Sequence, residues 1–555
     1  MADRAKVFLK TISAIFDDMT YVYIPISIFK LPDSLIDAKP EAYVPKQVGL
    51  GPLHHMRSEL QQMQMYKAME ARRFHKGFKS VDFHTLVEVL DKIAASSVRA
   101  SYNIYLEITD DVLACIMAVD GLFLFDLLSY YVIRRNALAN ATLANSSVLS
   151  HLVESASRIL AKEATLREVM MLENQIPILA LKTIFFVETM EFEFVSKLLP
   201  EILVGFCQFV SPFDKMVKYP PYKSLKHPHL LDLLYHMIML ERLPKKNSKE
   251  EEEEQKEELQ LLRDLFNKIN SKIEEIKNEE VAIVPLAGTL RMGSPIGPSN
   301  VVSHFLDVGK DIAPLPMKKL IELTQGLLKL PWSQLGSSLS SALTKRPPDE
   351  EVLIPSASEL QEVGVKFKPD HITRIKFDSK IVSFHLPSIK LSGDSDVIFS
   401  NLVAYEAMIK SETEPLFLKR YVDIMSGLIK TPKDLEVLRD AGIIKMQSIS
   451  VEQGLKVFNG TSKSVDSTNT QSVDEAIESV KKHYNRSWKV STRKFINKWK
   501  RIAANWCQVI VVLLLLLLMG IQAFCSVYEC HRFSFKSNYP QGQQGLRLLS
   551  LRSYE

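Results

Sequence analysis

Five cysteines in 555 residues are too few and too scattered for a disulfide framework. Only Cys115 and Cys207 precede Cys507, and no CxxC pair or Cys/His spacing marks a zinc site. Such sparse usage suits a reducing, cytosol-facing compartment. Charge of neither sign dominates: 69 Lys and Arg stand against 65 Asp and Glu, a net +4 that points to no nucleic-acid partner. The opening stretch MADRAKVFLKTISAIFDD does not read as a secretory signal, since Lys10 interrupts its apolar part and acid follows without a cleavage site. P-loop, GxSxG and HExxH motifs are lacking too. In Gly49-Leu50-Gly51-Pro52-Leu53-His54 the sixth position is His rather than Gly and Pro52 removes an amide donor, so this is not a dinucleotide fingerprint.

One long hydrophobic run is present, and it is the most informative feature. From Val509 to Ile521 the chain is uninterruptedly apolar, with Leu513 to Leu518 all leucine. Extended from Cys507 to Tyr528, it rises about 33 Å as a helix, enough to span a bilayer, and Trp506 and Tyr528 stand where interfacial aromatics belong. Nine basic residues and no acid lie just before it: Lys481, Lys482, Arg486, Lys489, Arg493, Lys494, Lys498, Lys500 and Arg501. Near an anionic leaflet each contributes about 1 kcal/mol, and Trp488, Phe495 and Trp499 can enter the interface. Four basic residues follow the run, so the asymmetry predicts a large N-terminal domain in the cytosol and a short tail across the membrane. Whether that is the plasma membrane or an endomembrane is left open. Sequons at Asn140, Asn145, Asn459 and Asn485 offer a topology test.

The organisation reads as a mainly α protein. Residues 1–245 form a helical half. Within it, DDVLACIMAVDGLFLFDLLSYYVIRR is apolar almost all round, but Asp120 and Asp126 would each cost about 2.5–3.5 kcal/mol inside a bilayer, which favours a buried core helix. Residues 246–350 hold an acidic amphipathic helix and a connector rich in Gly, Pro and Ser, with one short helix at 317–330. In the acidic helix Leu259, Leu262, Phe266, Ile269, Ile273 and Ile276 repeat as a short heptad seam; it is expected either to pack on its own domain or to offer a coiled-coil face to a partner. Residues 351–480 form a mixed half, with capping boxes at Ser356 and Ser472, a helix capped by Thr431 with Pro432 first and Gly442 after it, and alternating pairs Val365/Phe367, Ile375/Phe377, Val382/Phe384/Leu386 and Ile389/Leu391 that predict a small antiparallel sheet. Residues 481–506 are the basic juxtamembrane helix, 507–528 the span and 529–555 the tail.

Several pieces, in order, resemble the plant-specific family known as domain of unknown function 247, or uncharacterised protein family 0481. They are Val48-Gly49-Leu50-Gly51-Pro52-Leu53-His54-His55, Ala118-Val119-Asp120-Gly121 with Phe123, Leu172-Glu173-Asn174-Gln175-Ile176-Pro177, Ser358-Glu359-Leu360 with Gly364-Val365-Lys366-Phe367, Asn401-Leu402-Val403-Ala404-Tyr405-Glu406, and Phe458-Asn459. Trp506 and the apolar run also match, so the resemblance spans roughly residues 40 to 525. It departs at Ala407, where the family usually has Gln. The resemblance implies membrane association and no enzyme activity; some grass members are implicated in pollen–stigma self-incompatibility, which suggests recognition or signalling by analogy.

No catalytic, cofactor-binding or metal-binding set emerges from the residues themselves. His54-His55 can supply a ligand or a general base but has no acidic neighbour in sequence, and reads as a pair in the turn entering a helix at Met56. Asp120 and Asp126 lie about 240° apart around a helix, which is not one carboxylate pair. Glu173, Asn174 and Gln175, just before Ile176-Pro177, read as a polar knot inside an apolar helix. The expected function is therefore a membrane-tethered interaction or recognition protein with a lipid bilayer and an unidentified protein as partners, no nucleic acid and no cofactor. The alternative is a hydrolase or transferase around His54, His55, Asp120 and Glu173.

Overall fold

The apolar stretch after Thr109 organises the N-terminal half of the computed structural model, which describes residues 26–78, 81–134, 164–240, 248–283, 354–411, 414–447, 449–458, 470–487 and 513–521. Helices α1 (Gln61–Phe78), α2 (Phe83–Ile93), α3 (Asp110–Arg134), α4 (Ile178–Thr189), α5 (Phe192–Val210), α6 (Leu230–Met239) and α7 (Ser248–Ile283) belong to this half. Among the described residues α3 is the one helix long and apolar enough to cross a membrane, and it is instead largely buried, wrapped by α1, α2, α4 and α5. Protein on nearly every side explains its all-round apolarity. Its two aspartates both reach α1: Asp120 pairs with Lys67, and Asp126 lies 3.4 Å from the Arg73 guanidinium. Both pairs are 53 residues apart, so α1 and α3 run side by side in one register. A Cβ on Gly121 would sit 2.3 Å from Ile184 Cδ1, so glycine permits the close approach of α4 to α3.

The heptad face of α7 is occupied by its own domain. Leu262, Ile269, Ile273 and Ile276 are buried, and the helix packs on α2, α4 and α5. Phe266 closes on Phe186 and Phe192. The coiled-coil alternative is thereby corrected: a 3,4 repeat specifies an apolar stripe, and here the stripe is answered within the same fold.

In the C-terminal half, α8 (Ala357–Glu362) opens on the Ser356–Glu359 capping box. It is followed by β1 (Lys366–Asp370), β2 (Lys376–Asp378), β3 (Ser383–Pro387) and β4 (Ile389–Leu391). Then come α9 (Ser395–Ile409), α10 (Phe417–Leu428), α11 (Pro432–Asp440), β5 (Ile444–Met446) and α12 (Gln471–Arg486). The strands fall where the alternation places them, but the sheet is not antiparallel throughout. The order is β1-β3-β2, with β1 parallel and β2 antiparallel to β3, while β4 pairs in parallel with β5. Period-two alternation marks which face is buried, not which neighbour a strand takes, and here a 3-10 turn at Ile372–Arg374 and then β2 carry the chain back to a parallel start. Thr431 and Asp434 form the second capping box. The last helix starts at Gln471 rather than Ser472, with Thr470 bonded through its amide and hydroxyl to Asp474; the expected box at Ser472 falls on a side chain outside the described residues.

One hydrophobic core runs through both halves. The main chain joins them at Phe213, which bridges Ile389, flanked by Lys390 N–H to Pro212 O and Asp214 N–H to Ser388 O. Described residues up to Tyr484 belong to this unit, and those from Asn485 onward to a second. In the second unit residues 513–521 are helical, with every side chain exposed. The rest of the proposed span, most of the basic stretch, the helix at 317–330 and the sequons at Asn140, Asn145 and Asn459 lie outside the described residues.

Candidate functional site

The motif residues converge on one buried seam where irregular backbone lies against the helices. A non-helical segment carries amide and carbonyl groups that burial would otherwise leave unpaired. Glu168 accepts from the amides of Lys46, Gln47 and Val48 at 2.7–3.0 Å. Asn174 accepts from Leu50 N–H at 2.6 Å and donates to Val48 O and Glu168 O. Gly51, at φ 70°, gives its amide to Asp120, and a side chain there would meet the Tyr102 hydroxyl. Lys67, fully buried, donates to both Asp120 and Gly49 O. Burial pushes the Asp120 carboxyl up, against the pull of Lys67 and the Gly51 amide.

The Leu172–Pro177 motif is a break between helices rather than a knot inside one. A 3-10 turn at Leu172–Asn174 leads into extended Gln175, and Pro177 occupies the N-cap position of α4. Glu173 accepts from Leu31 N–H at 2.7 Å and sits 3.3 Å from His54 Nε2. Gln175 donates to Val169 O and Met171 O and accepts from Leu231 N–H. Asn401 on α9 accepts from Leu172 N–H and donates to Ala42 O and Val397 O, each at 2.8 Å. The turn after His54-His55 reaches the helix at Ser58, two residues later than Met56. The seam clamps the N-terminal segment onto the helices and, through Asn401, onto the C-terminal half.

His54, His55, Asp120 and Glu173 are thus neighbours, as an enzyme would need. Asp120 and Glu173, however, are engaged with Lys67 and backbone amides, and His54 is buried. His55 is half-buried, and desolvation lowers its pKa despite nearby Asp120. None of the four lines the cavity of about 370 Å³ bordered by Lys182, Leu225, Lys226, Glu258, Leu261 and Leu262.

A second polar cluster surrounds the start of α6, and sequence reasoning passed over it. His227 Nδ1 lies 2.5 Å from Asp232 Oδ2, and its Nε2 meets the Tyr219 hydroxyl. His236, one turn after Asp232, approaches Asp232 Oδ1 at 3.1 Å. The motif residue Tyr405 donates to Asp232 Oδ1, while neighbouring Glu406 accepts from Tyr235 and from the first amides of α10, at Leu418 and Lys419. His229 caps α6 by accepting from Asp232 N–H. Burial pulls the Asp232 carboxyl up, but its bonds to His227 and His236 outweigh this and hold it well below the usual carboxylate range. A signal was available: Asp and His at i, i+4 share a helix face, and His227 lies five residues before Asp232.

The family model described as "Plant protein of unknown function" (DUF247) matches residues 28–519. A putative UPF0481 protein of Arabidopsis thaliana is 30% identical over 542 residues, covering 94% of each chain. Another UPF0481 protein of that plant is 24% identical over 519 residues, covering 90% of this chain and 86% of its own. No solved structure matches. The chain belongs to the plant DUF247/UPF0481 family.

Proposed function

We propose that this protein is a single-pass membrane protein, anchored near its C-terminus, whose helical body faces the cytosol and acts by binding a protein partner. The observation that carries the reading is the helix at residues 513–521, apolar throughout, with exposures that include 59% at Leu513 and 52% at Ile521. Leaving a leucine in water rather than burying it forfeits about 1.5–3 kcal/mol, so six in succession favour an apolar surrounding by on the order of 10 kcal/mol. Asp120 and Asp126, held by Lys67 and Arg73, account for the other apolar helix without a bilayer. The charge asymmetry around residues 507–528 supports the orientation.

Binding rather than chemistry is favoured because the seam's acids are used to hold backbone. The partner surface is distinct from the heptad face of α7, which the body covers. Alkaline extraction of membranes tests the anchor. Full-length protein should stay in the pellet, and deletion of 507–528 should release it. Changing the nine basic residues to Gln should leave it integral. Resistance of the span-deleted protein to extraction would overturn the reading.

A further inference from the structure

We infer that His227, Asp232 and His236 form a binding site for a divalent transition-metal cation, with zinc as the fitting probe. One ligand atom from each residue falls in a group whose members all lie within 4.8 Å of one another. Asp232 and His236 project from the same face of α6, four residues apart, and His227 reaches in from the segment just before the helix. Two imidazoles and one carboxylate suit zinc and its first-row neighbours, whereas magnesium and calcium favour all-oxygen sets.

The surroundings prepare these groups for a cation. A metal-bound histidine normally donates its other ring N–H to a fixed partner, which sets the tautomer. His227 has that partner in Tyr219: Nδ1–H now donates to the Asp232 carboxylate, and a cation taking the place of that proton would leave Nε2–H to be held by the Tyr219 oxygen. Tyr405, from α9 in the other half of the fold, donates to Asp232 Oδ1 and orients the carboxylate. The Asp232 side chain is only 6% exposed and His227 11%, but His236 is 34% exposed, which leaves a route from solvent and room for water as a further ligand. Occupancy would replace the His–Asp hydrogen bonds by metal bonds and release any proton shared between them. Because Tyr405 lies 173 residues from Asp232 in the chain, its bond to that carboxylate would couple a bound cation to α9 in the other half of the fold.

The test uses full-length protein in detergent, stripped with chelator and dialysed against zinc. Metal content is read by mass spectrometry, and thermal stability is followed with and without zinc. Expected are one zinc per chain, a rise in Tm with zinc that excess magnesium does not reproduce, and at least tenfold weaker binding in His236→Gln and in His227→Gln. Cobalt substitution adds a spectroscopic readout, a visible absorption that should vanish in His236→Gln. His236 is the most exposed of the three, so this variant keeps the test decisive if His227→Gln does not fold. Failure of the wild-type protein to retain zinc overturns the assignment, as does equal retention by a folded His236→Gln variant, which would place the metal elsewhere.

Discussion

Removing the Asp120 carboxylate should be among the most damaging single changes to this fold. Asp120 is 2% exposed and Lys67 wholly buried, so Asp120→Ala leaves an ammonium without an anion and takes the acceptor from the Gly51 amide. Breaking one side of a buried pair costs about 3–5 kcal/mol. Lys67→Met should be costly at neutral pH for the mirror reason, and should recover as the pH falls. The sign follows from Asp120: with Lys67 gone, burial outweighs the remaining pull of the Gly51 amide and holds the folded-state pKa above the unfolded value, so stability is present at low pH and lost as pH rises through the folded value. The double variant Asp120→Ala/Lys67→Met removes both charges and should lose at least about 1 kcal/mol less than the sum of the singles. Urea midpoints of the full-length protein in detergent, with slopes compared, provide the assay. Singles costing under about 1 kcal/mol, or strict additivity, would refute the view that this pair holds the seam.

Three further outcomes follow from the packing. Gly121→Ala should destabilise by about 1–3 kcal/mol through overpacking against Ile184, and Ile184→Val, which removes the clashing methyl, should restore part of the loss in thermal melts. Leu262→Ala and Ile269→Ala should each cost about 2–5 kcal/mol, since α7 packs internally; unchanged Tm would reopen the heptad face as a docking surface. His75 on α1 lies 2.6 Å from Glu188 on α4, a hydrogen bond that raises the His75 pKa, while burial raises that of Glu188. Both groups hold protons more tightly when folded, so this contact's stabilisation should decline as pH rises from 6.5 through the folded His75 value, and Glu188→Gln should flatten that decline.

How much of this was legible in the sequence varied with the range of the interaction. Capping boxes at Ser356 and Thr431 act within one turn, and their residues announce them. The all-round apolarity of α3 likewise signals burial, with its two aspartates as the argument against a bilayer. Long-range pairings leave no such mark. Lys67 sits in an amphipathic helix where lysine ordinarily faces water, and its partner lies 53 residues on. Strand alternation placed β1 and β3 but could not show that they run in parallel. The Glu173-Asn174-Gln175 run was visible as a polar knot, yet its partners are amides and carbonyls, which carry no sequence identity. The His227–Asp232–His236 spacing contains neither a cysteine nor an HExxH pair, so it matches none of the usual short zinc patterns and only the fold brings its three side chains together.

The most direct measurement is protease protection of full-length protein in sealed microsomes, with separate tags at the two ends and with glycan analysis alongside. A membrane-anchored body on the cytosolic side requires loss of the N-terminal tag, survival of a small membrane-embedded fragment carrying the C-terminal tag, and no glycan at Asn140, Asn145, Asn459 or Asn485. Protection of the N-terminal tag until detergent is added, together with glycan on any of those asparagines, would contradict it.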